Sequence, residues 1–582
     1  MKQKLYKIYG LLRSLKYPAE LLAAVKSIFD ERVYTNERHI QMAAEWLLFM
    51  QNEDGGYSRK FSLISGRDAS YIETTGYIVP TLLSLGKEQY INSALKAGEW
   101  LLRVQNSDGS FSEIDNYQPF VFDTGQVLIG LNTLYEFTKD LRYKDAIAKA
   151  ANWLVKVQEE DGSWERYAYN KQKHSYYSRV AAALYKSGML VDNERFKKAA
   201  LKHIAWVLAS QKKNGFFSGA SFVDEVPAFL HTLIYILEGL LDIYAYTQNE
   251  KVLFAVLNNA DHFKVLNLSR DLVLCSQYDK DFNCINSERC MTGLAQWLGV
   301  ACRLYEISKD EAYKKSAIQT AFYLKAKQIK FSYMRGGFSA SIPFWGRYGT
   351  FDFVNWTNKF FIDAMITYGK LGISNIEEQE SYVGTAFAIT SSVVTDTLSY
   401  MDKKYIEAFE RYFDKRESLR VLDIGCGKGV IIKALKQRYP NYEFVGIDPV
   451  FEDENIHKGS IYRIPFEEGS FDVVMSFEVL QHTYIKKALN EIYRVVKPEG
   501  KVVIGERNPF SLLGCVKPFY ELAGKWMYPF DSAFREKWYS LRRWRYQMKI
   551  TGFDIENITS VDNENDRIPK TNRYFFIVGV KA

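Results

Sequence analysis

The strongest constraint on the fold of this chain is a sequence motif that returns at steps of 54, 53 and 53 residues. Each copy has a glutamine, then an Asp-Gly or Asn-Gly pair, then an aromatic residue. The copies are EWLLFMQNEDGGYSR (45–59), EWLLRVQNSDGSFSE (99–113), NWLVKVQEEDGSWER (152–166) and AWVLASQKKNGFFSG (205–219), and a weaker one contains Gln328. Because a fixed period of this length is typical of repeat proteins, each copy should be one unit that packs on the next.

Each copy predicts the end of an amphipathic helix. Apolar residues recur at i, i+3, i+4 and i+7 before the glutamine, and the glycine that follows suits a left-handed turn. Between the copies lie segments that are more apolar all round, which we expect to form helices covered on both faces. Six helices of each kind predict a closed (α/α)6 toroid over residues 1–375, because a closed ring covers both faces of every inner helix.

The inner helices of such a ring run parallel, so their N-terminal ends should converge on one mouth. Polar residues stand at these ends and could bind a ligand. The partial positive charge of the helix N-termini would favour an anionic one. Asp123 and His231 are the candidate catalytic residues of this mouth. Helix capping is the alternative role for Asp123, and a place in the core is the alternative for His231. The whole set comprises Glu73, Thr74, Asp123, Thr124, Tyr177, Arg179, His231, Glu288, Arg289, Asn355 and Lys359.

The glutamine–Asp-Gly–aromatic repeats resemble those of squalene and terpene cyclases and of protein prenyltransferase β chains, over roughly residues 40–370. The resemblance implies the toroid fold. It says little about the activity, since enzymes with toroids of this shape catalyse several kinds of reaction. The chain lacks the DxDD acid motif of the cyclases, and YDKDF (278–282) is its nearest string. It also lacks the D-x-C zinc pair of the prenyltransferases. We therefore expect neither activity, and no metal site.

The last third of the chain changes pattern. Residues 376–402 predict a linker and a helix, and 403–582 alternate strands with helices, which is typical of a mostly parallel α/β sheet. RVLDIGCGKG (420–429) is a strand followed by a turn with glycines at 425, 427 and 429, which let a ligand approach the backbone. Asp448 ends the next strand, where a carboxylate can accept both hydroxyls of a ribose.

Residues 420–507 resemble a class I S-adenosylmethionine-dependent methyltransferase with a Rossmann-like fold. VLDIGCGKG, VGIDP, IPFEEGSFDVVMSFEVLQH and IYRVVKPEGKVVI occur in the order of that family. The resemblance implies S-adenosylmethionine as cofactor and a role in holding it for Asp423, Gly425, Cys426, Gly427, Asp448, Ser460, Ile461, Phe477 and Glu478. By this resemblance Asp423 and the glycines hold the methionine end and Asp448 the ribose. Ser460 stands where the family often has an acid that binds the adenine amino group.

Methyl transfer to a hydroxyl acceptor needs a general base as well as alignment of the acceptor. His482 follows the fourth strand, where the methyl group should point, and it is the candidate catalytic residue of this domain; its alternative is a part in the fold. The segment 508–553 is rich in aromatic and basic residues. It is a candidate lid over the acceptor or a peripheral membrane contact, and a packed helical insertion is the alternative.

Composition limits the partners and the compartment. A net charge of +7 on 582 residues does not favour nucleic acid. Six cysteines without a CxxC pair predict reduced thiols and a cytoplasmic protein. The N-terminus lacks the continuous apolar core of a signal peptide, and no stretch reaches the ~20 apolar residues that span a bilayer.

We therefore expect a methyltransferase that O-methylates a sugar or glycan intermediate, with a toroid that binds or processes the saccharide. The aromatic and polar segment 336–361 is typical of a sugar platform. One alternative is a toroid that serves as a binding or scaffold module without chemistry. Another is a toroid that holds a prenyl chain whose product is methylated. The acceptor atom and the oligomeric state stay open.

Overall fold

The computed structural model describes residues 9–29, 32–112, 118–223, 226–269, 273–390, 397–507, 540–560 and 574–582. The chain divides into two compact units, Met1–Asn375 and Ile376–Ala582. Most of the predicted lid or membrane segment, 508–539, lies outside the described residues. Within the described ranges, no helix has the length and apolar character needed to cross a bilayer.

In the described part of the first unit, helix α1 (Pro18–Phe29) is followed by twelve helices that alternate between an outer and an inner layer. The outer helices are α2 (Asn36–Phe49), α4 (Glu88–Val104), α6 (Leu141–Lys156), α8 (Glu194–Ala209), α10 (Glu250–Ser269) and α12 (Glu311–Lys327). The inner helices are α3 (Ile72–Ser84), α5 (Val121–Thr138), α7 (Ser178–Leu190), α9 (Leu230–Thr247), α11 (Met291–Ser308) and α13 (Asn355–Gly369).

The ring closes on itself. Each inner helix packs against the next along the chain, and α13 packs against α3. The first outer helix, α2, packs on the last inner helix, α13, so the two ends of the repeat array meet. This arrangement confirms the predicted (α/α)6 toroid.

The repeated glutamine joins neighbouring outer helices. The side-chain amide of Gln105 donates to the carbonyl of Gly109 in its own turn at 3.1 Å and to that of Ala146 in the next outer helix at 2.9 Å. Gln51, Gln158 and Gln211 make the same pair of bonds, and Gln328 donates to Gly336 and to His39 in α2. The weaker copy with Gln328, which follows the sixth outer helix, therefore closes the ring. At the junction of α10 and α12, the Asn267 side chain accepts from Ser316.

Two physical constraints, a left-handed backbone and a close neighbour, require glycine in the repeat, as the second copy shows. Gly109 has φ of 93°, and a Cβ there would lie 2.3 Å from the carbonyl oxygen of Lys149 in the next outer helix. Asp108 accepts the backbone N–H of Ser110 at 3.0 Å, which shapes the turn. Phe111 after the turn is buried, and its N–H donates to the hydroxyl of Thr124 in the adjacent inner helix at 3.1 Å. The motif thus joins both layers.

Short strands lie in the loops of the first unit. β1 (Lys60–Ser62), β2 (Gly66–Arg67) and β7 (Asp352–Val354) form an antiparallel sheet, β3 (Ala228–Phe229) pairs with β4 (Gln277–Tyr278), and β5 (Arg289–Cys290) pairs with β6 (Ser341–Ile342). A disulfide joins Cys275 and Cys284 next to β4. This bond corrects the expectation of reduced thiols throughout, because the loop brings together two cysteines that sequence spacing does not pair. The cytoplasmic compartment stays a prediction.

The second unit has a seven-stranded sheet within its described residues, in the order β10-β9-β8-β11-β12-β14-β13. The strands are β8 (Arg420–Ile424), β9 (Glu443–Asp448), β10 (Ile456–Lys458), β11 (Phe471–Phe477), β12 (Val496–Arg507), β13 (Phe553–Ser560) and β14 (Tyr574–Lys581). The first five are parallel, and β14 runs antiparallel to both of its neighbours. The predicted mostly parallel sheet is confirmed.

Helices cover both faces of this sheet. α15 (Tyr400–Glu410) and α16 (Val430–Arg438) pack on one face, and α17 (Ile485–Val495) and α18 (Leu541–Thr551) pack on the other. Helix α14 (Asn375–Thr390) precedes them in the chain. Alternation along β8 sends Leu422 and Ile424 into the apolar cluster on one face and Val421 into the cluster on the other. Both faces of the sheet are therefore buried. The residues that can contact a ligand lie at the carboxyl edge of the parallel strands.

Candidate functional site

The glycine loop after β8 forms one wall of a cavity of about 170 Å³ at the carboxyl edge of the sheet. Gly425 and Gly427 have φ of 72° and 55°. A Cβ on Gly425 would lie 2.4 Å from a Val479 methyl, whereas a Cβ on Gly427 would meet nothing within 4 Å. Gly427 therefore faces open space, and its backbone is accessible to a ligand.

Asp448 at the end of β9 organises this wall. Its carboxylate accepts the backbone N–H groups of Gly427 at 2.9 Å, Val450 at 2.8 Å and Phe451 at 3.1 Å. Two oxygens have about four acceptor positions between them, so three bonds leave capacity for a ligand hydroxyl. The carboxylate thus lies where the loops after two neighbouring strands meet.

Six of the predicted site residues line this cavity: Gly425, Gly427, Asp448, Ser460, Ile461 and His482. Four others surround it without lining it. Asp423 is buried in β8, where burial first, and then Asp448 and Asp402, raise its pKa to about 8. Phe477 stacks on Tyr405 with ring centroids 4.6 Å apart. Cys426 is half-buried. Glu478 has a backbone φ of 58°, which residues other than glycine rarely adopt.

His482 lies at the end of a short 3₁₀ helix, Leu480–His482. The amide nitrogen of Gln481 lies 3.3 Å from its Nε2. Because an amide nitrogen only donates, this contact suits an imidazole whose Nε2 is unprotonated. Gln481 therefore occupies the Nε2 lone pair, and His482 lines the cavity.

Helix α14 supplies a wall that the sequence did not indicate. Gln379, Glu380 and Val383 line the cavity. The Glu380 carboxylate accepts from the Ser460 hydroxyl, and Gln379 Nε2 donates to the His482 carbonyl at 2.6 Å. Burial, then Glu377, raises the pKa of Glu380 to about 7. The sequence predicted a linker and a helix over 376–402, and it did not indicate that one face of this helix lines the cavity.

The first unit has a second cavity, of about 460 Å³, inside the ring. All six inner helices line it, mostly through residues in their middle and carboxyl-terminal parts, and Arg179 in the first turn of α7 also lines it. Four ion pairs stand in its wall: Arg179–Glu238, Lys186–Glu136, Arg303–Asp242 and Lys359–Asp363. Most of its lining lies beyond the N-terminal ends of the inner helices, where the sequence predicted a mouth, and Arg179 and Lys359 connect its deep end to them.

Aromatic rings pack near those N-terminal ends. Tyr235 contacts Phe122 and Phe360, and Tyr348 contacts His231, with ring centroids 5.5 to 5.6 Å apart. All but Phe122 are buried. This layer separates the loops before the inner helices from the cavity.

The predicted mouth residues divide between this layer and the cavity. His231 is buried, and burial lowers its pKa to about 3, so it is neutral near pH 7. Its Nδ1 lies 2.7 Å from Oε1 of Gln296, which lines the cavity. Asp123 is buried in the first turn of α5. Arg179 and Lys359 line the cavity directly.

Other residues of the predicted mouth hold the fold together. Asn355 accepts from the Trp46 indole at 3.0 Å, which ties α13 to α2. Glu288 accepts the backbone N–H of Arg347 at 2.8 Å, and the Tyr177 hydroxyl accepts that of Tyr169 at 3.0 Å. The cavity residues that the sequence did not indicate, such as Glu238 and Asp363, lie two turns into their helices and have no motif to distinguish them.

Comparison with known proteins agrees with both units. Residues 422–504 match a family model described as a methyltransferase domain, and residues 67–235 match the squalene-hopene cyclase C-terminal domain. The chain is 34% identical over 121 residues to an uncharacterised methyltransferase of Schizosaccharomyces pombe, covering 17% of this chain and 43% of that protein. It is 34% identical over 108 residues to squalene–hopene cyclase of Alicyclobacillus acidocaldarius, covering 16% and 17%.

Among solved structures, one similar to this chain is an unsaturated glucuronyl hydrolase specific for heparin, at 15% identity and a TM-score of 0.47, covering 58% of this chain and 97% of that one. The chain spans between 43% and 59% of the length of the first curated relatives that it matches. The two predicted resemblances are confirmed. The chain therefore combines a toroid of the squalene–hopene cyclase type with an S-adenosylmethionine-dependent methyltransferase domain.

Proposed function

We propose that this protein transfers a methyl group from S-adenosylmethionine to an oxygen of a sugar or glycan intermediate, and that the toroid binds the saccharide. The single observation that carries the transfer is the cavity at the carboxyl edge of the sheet, where a glycine wall, Asp448 and His482 meet. The polar lining of the cavity inside the ring supports the proposal that its ligand is a saccharide.

The residues of the second unit fit the cofactor. The open space at Gly427 admits a ligand against the backbone, and Asp448 retains capacity for a ribose hydroxyl. Ser460 and Glu380 form a polar pair that would receive the adenine amino group, so Glu380 would replace the family's acid. Bound there, the cofactor would supply an electrophilic methyl group.

His482 would remove the proton from the acceptor hydroxyl. Its backbone carbonyl accepts from Gln379, which fixes the position of the residue, and the Gln481 amide that donates to Nε2 would have to give way to the acceptor hydroxyl. A base placed this way raises the nucleophilicity of a hydroxyl as the new bond forms, which contributes about 10²- to 10⁴-fold in rate. Helix α14 would help to exclude water from the cavity.

The ring favours a polar ligand over a prenyl chain. Its cavity wall contains four acids and four bases, and an isoprenoid would displace water from these ion pairs without offering hydrogen bonds in return. The scaffold alternative is favoured by one observation: Asp123 and His231 are buried, and neither lines the cavity. A ring that binds without chemistry would keep its function in Asp123→Asn and His231→Gln variants, whereas a catalytic ring would lose it.

The test is a transfer assay with the full chain. Labelled S-adenosylmethionine is incubated with a panel of neutral sugars and short glycans, and S-adenosylhomocysteine and methylated product are measured by mass spectrometry. We expect an O-methylated sugar, and a His482→Gln variant that loses at least 100-fold in turnover. The exposed variant His457→Gln is the control and should keep full activity. Transfer to other acceptor classes with none to any sugar would contradict the saccharide proposal.

A further inference from the structure

The cavity inside the ring opens toward the carboxyl ends of the inner helices. Side-chain exposure follows this direction. Arg179 and Lys359, deep in the wall, are 7% and 8% exposed, whereas Glu136 and Asp242, near the helix ends, are 40% and 41% exposed. The aromatic layer around Tyr235 closes the deep end. A ligand would therefore enter past the carboxyl ends and stop above these rings.

The charges of the wall cancel. Arg179 pairs with Glu238 at 2.6 Å, and Lys359 pairs with Asp363 at 2.8 Å. The two outer pairs, Lys186–Glu136 and Arg303–Asp242, have distances of 2.6 and 2.8 Å. Four cations meet four anions, so the site offers donors and acceptors without a net charge. Such a wall matches hydroxyl groups, which donate and accept at once.

Helix dipoles at the mouth act against an anion. The inner helices all present their carboxyl ends to this side, and each such end carries about half a negative charge on its unpaired carbonyls. Phosphate, diphosphate and carboxylate groups would face these carbonyls on entry. The sequence-based expectation of an anionic ligand drawn to helix N-termini therefore does not apply to this cavity.

Apolar strips separate the polar groups. Pro80, Ile129, Ala182 and Ala295 line the cavity from four helices, and Phe360 stands at its deep end. The flat carbon faces of a sugar ring can cover such surfaces while its hydroxyls reach the ion pairs. The volume of about 460 Å³ lies in the range of pockets for small ligands.

We propose that this cavity is a binding site for an uncharged, hydroxyl-rich ligand of monosaccharide to disaccharide size, entering from the carboxyl ends of the inner helices. The Glu238 carboxylate is central to it, since it accepts from Arg179 and from Gln296 at 2.9 Å and still faces the cavity. This inference deepens the proposed function and rests on it only for the idea that the bound sugar is the methyl acceptor.

The test measures binding, without methyl transfer. Maltose and methyl α-glucoside are added to the full chain, and binding is followed by saturation-transfer difference NMR and by calorimetry. Glucuronate and geranyl diphosphate are the anionic and prenyl probes. We expect maltose to bind at least tenfold more tightly than glucuronate, and geranyl diphosphate to give no competition.

Two variants locate the site. Ala182→Phe fills the cavity and should reduce maltose binding at least tenfold, while Ala205→Phe on the exposed face of α8 should not change it. Asp363→Asn leaves the wall with one excess positive charge and should raise glucuronate affinity relative to methyl α-glucoside about threefold. Its control is Asp145→Asn, which removes an exposed i,i+4 partner of Lys149. Circular dichroism checks that each variant is folded.

Three outcomes would overturn the assignment: no neutral sugar bound at millimolar concentration, binding unchanged in folded Ala182→Phe, or tighter binding of the anion than of the neutral sugar. Failure of the proposed function has a different signature. In that case maltose binding would be lost in Ala182→Phe as expected, while no sugar in the transfer assay would become methylated.

Discussion

The two units of this protein use glycine motifs for opposite purposes. In the ring, a Cβ on Gly109 would lie 2.3 Å from a carbonyl of the neighbouring outer helix. In the sheet unit, a Cβ on Gly427 would meet nothing, because the space beside it belongs to a cavity. A repeated glycine that packs against its own protein indicates a role in the fold. A glycine that faces open space indicates a role in binding a ligand.

The same contrast holds for the polar residues. The side-chain amides of the repeat glutamines donate to a backbone carbonyl of their own turn and to one of the next outer helix. Asp448 also bonds to backbone, but it does so at the edge of a cavity and keeps capacity for a ligand. The predictions that follow test whether the ring motifs act on stability alone and the sheet motifs on cofactor binding.

The largest effect is expected from Asp448→Ala. The change removes the acceptor of three backbone N–H groups and the predicted ribose partner, and hydrogen bonds to a charged group contribute about 1.5–3 kcal/mol each. Affinity for S-adenosylhomocysteine, measured by calorimetry, should fall at least 100-fold. Asp453→Ala is the matched control, since this exposed loop carboxylate also accepts a backbone N–H, at 2.8 Å. Equal losses in both variants would contradict the role of Asp448.

Alanine at the two glycines should separate stability from binding. Gly109→Ala forces a side chain into a left-handed turn and against a carbonyl, so the free energy of unfolding should fall by at least about 2 kcal/mol. Gly427→Ala should cost about 1 kcal/mol in stability and reduce cofactor affinity about tenfold. Urea denaturation and calorimetry measure both quantities. The comparison fails if Gly109→Ala weakens cofactor binding as much as Gly427→Ala does.

Gln105→Ala should lower the free energy of unfolding by about 2 kcal/mol, because two buried carbonyl groups lose their donor. The control is Gln41→Ala, whose amide donates to Glu45 on the same helix and should cost less than about 0.5 kcal/mol. Cofactor affinity should stay the same in both variants. Urea denaturation followed by circular dichroism gives the values, and an unchanged midpoint for Gln105→Ala would show that the bridges do not stabilise the ring.

The smallest effect is a pH dependence from Asp423, whose pKa is about 8. The folded state keeps this proton where the unfolded chain, with a pKa near 3.8, has lost it. The resulting stabilisation is complete below about pH 4 and is lost as the pH rises through 8. If the ammonium of the cofactor pairs with the ionised form, its affinity should rise by less than tenfold per pH unit up to pH 8.

Calorimetry in buffers of different ionisation enthalpy measures this proton. Binding near pH 7 should release up to one proton in the unchanged chain and fewer in Asp423→Asn. Identical proton release in the two proteins would assign the pH dependence to another group, with Glu380 as the first to examine.

Local rules predicted much of the second unit. Gly425, Gly427 and Asp448 were predicted as cofactor residues from the spacing of the turn after a parallel strand, and they line the cavity. Glu380 was not found, because a helix far from the motif carries it to the cavity and no spacing connects it to Ser460. Asp423 and Phe477 were expected at the cofactor, and the structure places both just behind the cavity wall.

The sequence by itself determined the ring and the cofactor fold. A glutamine, a glycine and an aromatic residue recur every 53 or 54 residues in the first four copies and repeat one set of local contacts, and the count of six inner and six outer helices indicates a closed toroid. Tertiary structure alone decided which end of the ring is open. Aromatic rings such as Tyr235 and Tyr348 come from separate segments and fill one end, and ion pairs such as Arg179–Glu238 line the other. Side-chain packing between distant segments sets where space remains, and local periodicity carries no information about that space.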